Sequence, residues 1–178
     1  MTYTTDRIGS ALRGENPTVL RRLTTSFAVI GDVQFLPGYC VLLLDDPGVE
    51  HFSDLSKPRR LAFLADMDVL GEAVQLACRK LDSGFRKVNL EILGNTDRFV
   101  HAHIWPRYDW EPAHLIPRPV GAYPRGHWHE PRYALGSEHK QLREAITAEL
   151  DSLVNSDRTQ PPPRAGGQRP SPGGVPQL

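Results

Sequence analysis

The most constraining stretch of this chain is Phe99-Val-His-Ala-His-Ile-Trp-Pro-Arg107. Apolar residues at 100, 102 and 104 alternate with Phe99, His101, His103 and Trp105. This is the period of a strand, whose successive side chains point to opposite faces. Such a strand sends Val100, Ala102 and Ile104 into a core and turns both imidazoles to an open face. At about 3.4 Å of rise per residue, the two histidines stand roughly 7 Å apart along the backbone, close enough for both to touch one phosphate group. A neutral imidazole is a nucleophile near pH 7, and its cation donates to phosphate oxygens. The pair therefore suits covalent chemistry at phosphorus, with no metal needed where other groups hold the phosphate charge. A metal pair is the competing use of His-x-His.

The surrounding sequence reads as one α+β domain. Residues 6–12 and 17–23 are expected as two short helices, the second started by Asn16-Pro17. Residues 26–30 form a short β-rich run. Pro37-Gly38 is a turn, and 39–44 follows as a nearly continuous apolar strand. Leu64, Met67, Gly71, Val74, Cys78 and Leu81 recur at three- and four-residue steps, which predicts a long helix. Ser56 caps it, Pro58 sits in its first turn and Ser83-Gly84 stops it. Strands at 88–93 and 99–105 come next, joined by Gly94-Asn95-Thr96-Asp97, then a Pro-rich loop to about Leu135. An amphipathic helix over 138–153 closes the domain. The expected organisation is a helical extension over 1–24, a domain over 25–155 and a disordered Pro/Gly-rich tail over 156–178, for which the alternative use is as a proline-motif ligand.

Composition excludes several classes. Lys plus Arg equals Asp plus Glu at 21 each, so net charge supplies no pull toward nucleic acid or membrane. Any anionic ligand must be held by local geometry. The two cysteines, Cys40 and Cys78, lie in apolar patterns and read as buried thiols, too few for a Cys-rich zinc site. No apolar stretch approaches the ~18 residues of a membrane span, and no signal peptide is read. A soluble, cytoplasmic protein is expected.

Two separate regions carry a family resemblance. Val88-Asn-Leu-Glu-Ile-Leu-Gly-Asn95, then His101-Ala-His103-Ile-Trp-Pro-Arg107-Tyr108, resembles the end of a histidine-triad (HIT) domain. Upstream, Ser26-Phe-Ala-Val-Ile30, Pro37-Gly-Tyr-Cys-Val-Leu-Leu-Leu44 and His51-Phe-Ser-Asp-Leu55 resemble the family's first hairpin and helix entry. The resemblance implies a HIT-like α+β fold: a twisted antiparallel sheet, a long helix packed on one face and a C-terminal helix. It also implies a homodimer, and hydrolysis or transfer at the α-phosphorus of a nucleotide through a covalent nucleotidyl-histidine. Dinucleoside polyphosphates, nucleoside phosphoramidates and nucleotidyl sugars all fit. No cofactor is implied, beyond magnesium that can travel with a polyphosphate.

This sequence departs from the family pattern of three alternating histidines. Keeping Gly94-Asn95 and Pro106-Arg107 at family spacing places Phe99 first, His101 in the middle and His103 third, which makes His101 the nucleophile. The other alignment makes His103 the middle residue and Trp105 the third, similar to the galactose-1-phosphate uridylyltransferase branch. His51 matches the family's upstream phosphate-contacting histidine. Asn89 and Asn95 are amide donors for phosphate or plain turn residues. Arg107 either neutralises a distal phosphate or pairs with Asp109 or Glu111. Asp32 lies one place past the family's ribose-binding position, so it is a ribose ligand or a turn carboxylate. His127-Trp-His129, with His114 and Glu130, is a weaker metal candidate. Trp110 and Trp128 are expected as packing, or as a lid over a base.

Overall fold

The computed structural model describes residues 2–159. Its elements are α1 (Arg7–Leu12), β1 (Val19–Arg22), β2 (Ser26–Ile30), β3 (Cys40–Leu44), α2 (Lys57–Leu81), β4 (Phe85–Ile92), β5 (His101–Tyr108) and α3 (Lys140–Thr159). The strands form one antiparallel sheet in the order β1-β2-β3-β5-β4. Strand β5 therefore has a partner on both edges, while β4 is an open edge.

The alternation in β5 resolves as expected on one side. Val100, Ala102 and Ile104 join Ala28, Leu42 and Leu44 in the main core beneath α2 and α3. Helix α2 buries Phe63, Leu70, Ala73, Val74, Ala77 and Cys78, with Pro58 in its first turn as expected. The buried stripe is rotated from the expected one, so Leu64 and Met67 lie at its margin and Leu81 is exposed. Asp66 is buried on the same stripe. Its carboxylate accepts from the Thr24 and Thr25 amides and from the Thr25 and Ser26 hydroxyls, tying α2 to the β1–β2 connection. Those four donors explain why a charge is tolerated there.

The other side of the sheet is not open. His101 is only 6% exposed and Trp105 3%. Ile8 and Ala11 of α1 pack on Phe27, Val29 and Leu43 at one end, and an aromatic cluster of Phe35, Tyr39, Trp105, Tyr108 and Tyr123 covers the other. The expectation of an exposed histidine face fails because the N-terminal segment and the Pro-rich loop form a second layer over it. Strand periodicity separates the two faces but cannot tell what will cover either.

The helix expected over 17–23 is strand β1 instead. The Asn16 side chain, read as a helix cap, accepts from the amide and hydroxyl of Thr18 at 3.0 and 2.7 Å in a local turn. Val19 to Arg22 then pair with β2. Asn serves helix caps and turns equally well, and pairing with β2 decides between them. Downstream, β4 begins three residues before the expected start and β5 runs on to Tyr108. The Pro-rich loop contains short 3-10 turns at Val120–Ala122, Arg125–Trp128 and Pro131–Tyr133. Helix α3 extends to Thr159, past the expected domain end at 155. The expected tail beyond 159 lies outside the described residues. Among the described residues no helix is long and apolar enough to cross a membrane.

Candidate functional site

The link between β2 and β3 sets one wall of the site. Gln34 is buried and bonds three backbone groups across this link: its amide donates to the Gly31 and Tyr39 carbonyls, and its carbonyl accepts from Gly38 N. Gly38 has φ +92°, and a Cβ there would run into the Cys78 sulfur, so only glycine fits the turn. This pins Tyr39 at the mouth of β3, on the side of the sheet that carries the histidines.

Register places the rest. His103 lies opposite Val41 on one side and Glu91 on the other, His101 opposite Leu43, and Trp105 opposite Asn89. The His101 and His103 rings meet edge-to-face with centroids 4.9 Å apart. His101 Nδ1 lies 2.8 Å from the Phe99 carbonyl oxygen. A carbonyl only accepts, so this nitrogen carries a proton, and in the neutral ring Nε2 keeps the lone pair. The bond is made by the backbone of residue 99, not by its side chain. The Phe99 ring packs on His101 at 5.2 Å.

His103 is held differently. Its Nδ1 lies 2.7 Å from Tyr39 Oη, and the two indole-side neighbours stack nearly parallel: Tyr39 on Trp105 at 3.6 Å and His103 beside Trp105 at 5.5 Å. Burial raises the Tyr39 phenol far above its ordinary value, so it remains a hydroxyl. The hydroxyl has no other acceptor among the described residues, so it donates to His103 Nδ1. That leaves the His103 proton on Nε2. Burial, reinforced by His101, lowers the His103 pKa to about 4. At neutral pH His103 is therefore a neutral hydrogen-bond donor, not a cation.

Three cavities converge on this pair. One of about 580 Å³ is walled by Val29, Val41, Leu43 and Phe99, with Asp32 and Arg7 at its rim. A second, of about 350 Å³, brings His51, Asn95 and Arg98 to His101. A third, of about 260 Å³, lies between Trp105, Trp128 and Glu91. His101 borders all three.

The expected residues thus divide. His51 and Asn95 share a cavity with His101. Asp32 lines the largest cavity but is ion-paired with Arg7 at 2.6 Å and accepts from Tyr3 Oη. Asn89 faces a different concavity, away from His101. Arg107 is buried and fully engaged: it grips Glu111 through Nε and Nη2 and donates to the Leu115, Ile116 and Arg118 carbonyls. Of its two expected roles, the pairing with Glu111 is the one present, because a buried guanidinium needs a carboxylate. Tyr123 Oη donates to the same Glu111. Arg107 thereby fastens the start of the Pro-rich loop, whose Trp128 reaches Trp105 at 5.7 Å and lines two of the cavities.

His127 of the second His-x-His is packed among Phe35, Tyr123 and Tyr133, while His129 reaches the largest cavity. Among the described residues no three His, Cys, Asp or Glu side chains are placed to hold one metal ion. Trp110 stacks on Tyr108 and donates to Asp82, so it packs rather than covers the site. Tyr39 and Arg7 are site walls that the sequence reading misses; Tyr39 carries a signal, since it shares strand parity with Val41 and Leu43. Trp128, expected as packing or a lid, lines two of the cavities.

No family model matches the sequence, and no curated protein does. Solved structures do match. A histidine triad nucleotide-binding protein from Sulfolobus tokodaii, described as hypothetical, aligns at 12% identity with a TM-score of 0.61, covering 83% of this chain and 93% of its own. A histidine triad protein from Bradyrhizobium japonicum aligns at 19% identity and TM-score 0.60, covering 74% and 89%. The chain has the histidine-triad fold. A zinc-bound histidine-triad family protein from Mycobacterium smegmatis shares this fold at 14% identity and TM-score 0.54, covering 83% of this chain and 94% of its own.

Nitrogen NMR of the full chain reads both tautomers. His101 is expected with its proton on Nδ1 and His103 with its proton on Nε2, the latter neutral down to about pH 4. Because the unfolded chain takes up the His103 proton first, near 6.5, folding stability is expected to fall as pH drops from 6.5 toward 4. A His103 that titrates at its ordinary value contradicts this burial.

Proposed function

We propose that this chain is a nucleotide hydrolase or nucleotidyl transferase whose nucleophile is His101. The observation that carries this reading is the His101–Phe99 carbonyl bond, which leaves Nε2 with its lone pair at the junction of three cavities. The largest suits a nucleoside, with apolar walls for a base and the Asp32–Arg7 pair at its rim. The α-phosphate would then lie against His101, within reach of the His51, Asn95 and Arg98 cavity.

The His101 Nε2 lone pair attacks phosphorus, a P–N bond forms, and the bond to the leaving group breaks with its electron pair. His103 Nε2–H donates to a phosphate oxygen as charge builds. Water then attacks the nucleotidyl phosphorus, the P–N pair returns to Nε2, and a nucleoside monophosphate and a proton are released. Phe99 has no proton to give and His103 is neutral, so neither supplies the leaving group with one. Leaving groups that depart as phosphate anions, or as amines already protonated on the substrate, meet this condition.

A second reading, a nucleotide-binding module with little turnover, is favoured by the Phe99 side chain in place of a histidine. Against it, the bond that orients His101 comes from the backbone and does not depend on that side chain.

Homodimerisation is part of the same proposal. Strand β4 is an open edge with Leu90 and Ile92 exposed and Leu93 exposed just past its end, apolar surface that an unpartnered edge would not normally present to water. Light scattering is expected to give twice the 19.9 kDa chain mass; a monomer at micromolar concentration contradicts it.

The test of function uses a nucleoside phosphoramidate with metal-free protein. Turnover is expected to survive chelator, and His101→Ala is expected to lower it by at least about a thousandfold while nucleotide binding persists. Activity that is lost to chelator and restored by stoichiometric zinc would sink the covalent reading. Wild-type binding without turnover would establish the module instead.

A further inference from the structure

A second polar concavity lies on the histidine-bearing side of β4 and β5, away from His101. It measures about 350 Å³ and is walled by Arg86, Lys87, Asn89, Arg107, Arg118 and the Glu91–Glu111 carboxylates. Among the described residues no carboxylate lies within ion-pair distance of Arg86, Lys87 or Arg118.

Three features make this a built pocket and not scattered surface charge. The first is a β-bulge. Phe85 pairs with Tyr108, and the next pair is Lys87 with Arg107, so Arg86 is an extra residue in β4. Strict alternation would send Arg86 and Lys87 to opposite faces. A bulge re-aims side chains, and here both border the pocket. The second is the fixed position of Arg118, whose carbonyl is held at 3.0 Å by Nη1 of the buried Arg107. The third is that both carboxylates are already engaged. Glu111 accepts from Arg107, Tyr108 N and Tyr123 Oη, and Glu91 accepts from Trp105 Nε1 at 3.1 Å. An indole N–H leaves the Glu91 charge in place, so the pocket sets four cations, Arg86, Lys87, Arg107 and Arg118, against two carboxylates, and the Asn89 amide also borders it.

We propose that this pocket binds a phosphate group. Cationic side chains converging with an amide donor match its charge and its many acceptor oxygens. Glu91 borders both this pocket and the cavity beside His103, so the two adjoin. Four residue steps along β5 take His103 to Arg107, roughly 13 Å along the backbone. The phosphate therefore has two sources: the far end of a polyphosphate substrate whose α-phosphorus lies at His101, or a free inorganic phosphate or pyrophosphate. The first source rests on the reading of His101 above; the pocket itself does not.

The experiment titrates the full chain with pyrophosphate at constant ionic strength and follows backbone amides by NMR. Saturable shifts are expected at Arg86, Lys87, Asn89 and Arg118. The double variant Arg86→Glu with Lys87→Glu is expected to bind at least about tenfold more weakly, with the His101 amide unshifted as a check on folding. Turnover of a dinucleoside tetraphosphate and of a nucleoside phosphoramidate then separates the sources. A raised KM for the tetraphosphate alone assigns the pocket to the substrate's far phosphates. Unchanged KM for both, with pyrophosphate binding weakened, assigns it to a separate phosphate ligand. No saturable shift at these residues, or equal affinity in the double variant, overturns the proposal whatever the state of the enzyme activity.

Discussion

Strand β5 is hydrogen-bonded along both edges and covered on both faces, and the candidate site follows from that double confinement. Its inner face is filled by Val100, Ala102 and Ile104. Its outer face lies under aromatic rings at Trp105 and Tyr108, while α1 packs on the neighbouring β2 and β3 residues Phe27, Val29 and Leu43. A histidine on a free surface strand samples several rotamers and stays solvated. Here His101 is almost wholly buried and bonded to the Phe99 carbonyl, and His103 is bonded to Tyr39. Burial costs solvation, and the fold compensates by giving one nitrogen of each ring a fixed partner.

The fixed partners also separate two nearly identical side chains into two roles. His101 has its lone pair on Nε2, the nitrogen not bonded to the backbone. His103, neutral because it is buried beside another imidazole, presents a donor instead. Phe99 is compatible with this division, because the bond that orients His101 belongs to the peptide of residue 99 and not to its side chain. Further along β5, Arg107 is drawn into a buried network with Glu111 and Tyr123. That network holds down the loop whose Trp128 packs on Trp105 and lines two of the cavities that His101 borders.

Much of the arrangement was legible in the sequence wherever a local period or turn decides the structure. The two-residue period of 99–105 separates the main-core residues Val100, Ala102 and Ile104 from the histidine-bearing face, the helical period of 64–81 finds α2, and Pro37-Gly38 marks the turn into β3. Legibility ends where one residue has two good local uses. Asn16 serves a helix start or a turn, and only β2, available as a pairing partner, makes the segment after it a strand. Arg107 serves a phosphate or a carboxylate, and only the folded loop shows that Glu111 reaches it. The second layer over the histidines comes from residues 3–12 and 112–135, far away in sequence, and no local pattern announces it. The β4 bulge is invisible for the same reason: it is a mismatch between two strands and not a property of either.

The most direct measurement is mass mapping of the covalent adduct after rapid mixing with a labelled nucleoside phosphoramidate and quenching under conditions that preserve an acid-sensitive P–N bond. The expected result is one nucleoside monophosphate equivalent on the peptide containing 99–107, lost specifically in His101→Ala and retained in His103→Ala. An adduct that persists in His101→Ala but disappears in His103→Ala, or turnover with no adduct at all, would contradict His101 as the nucleophile.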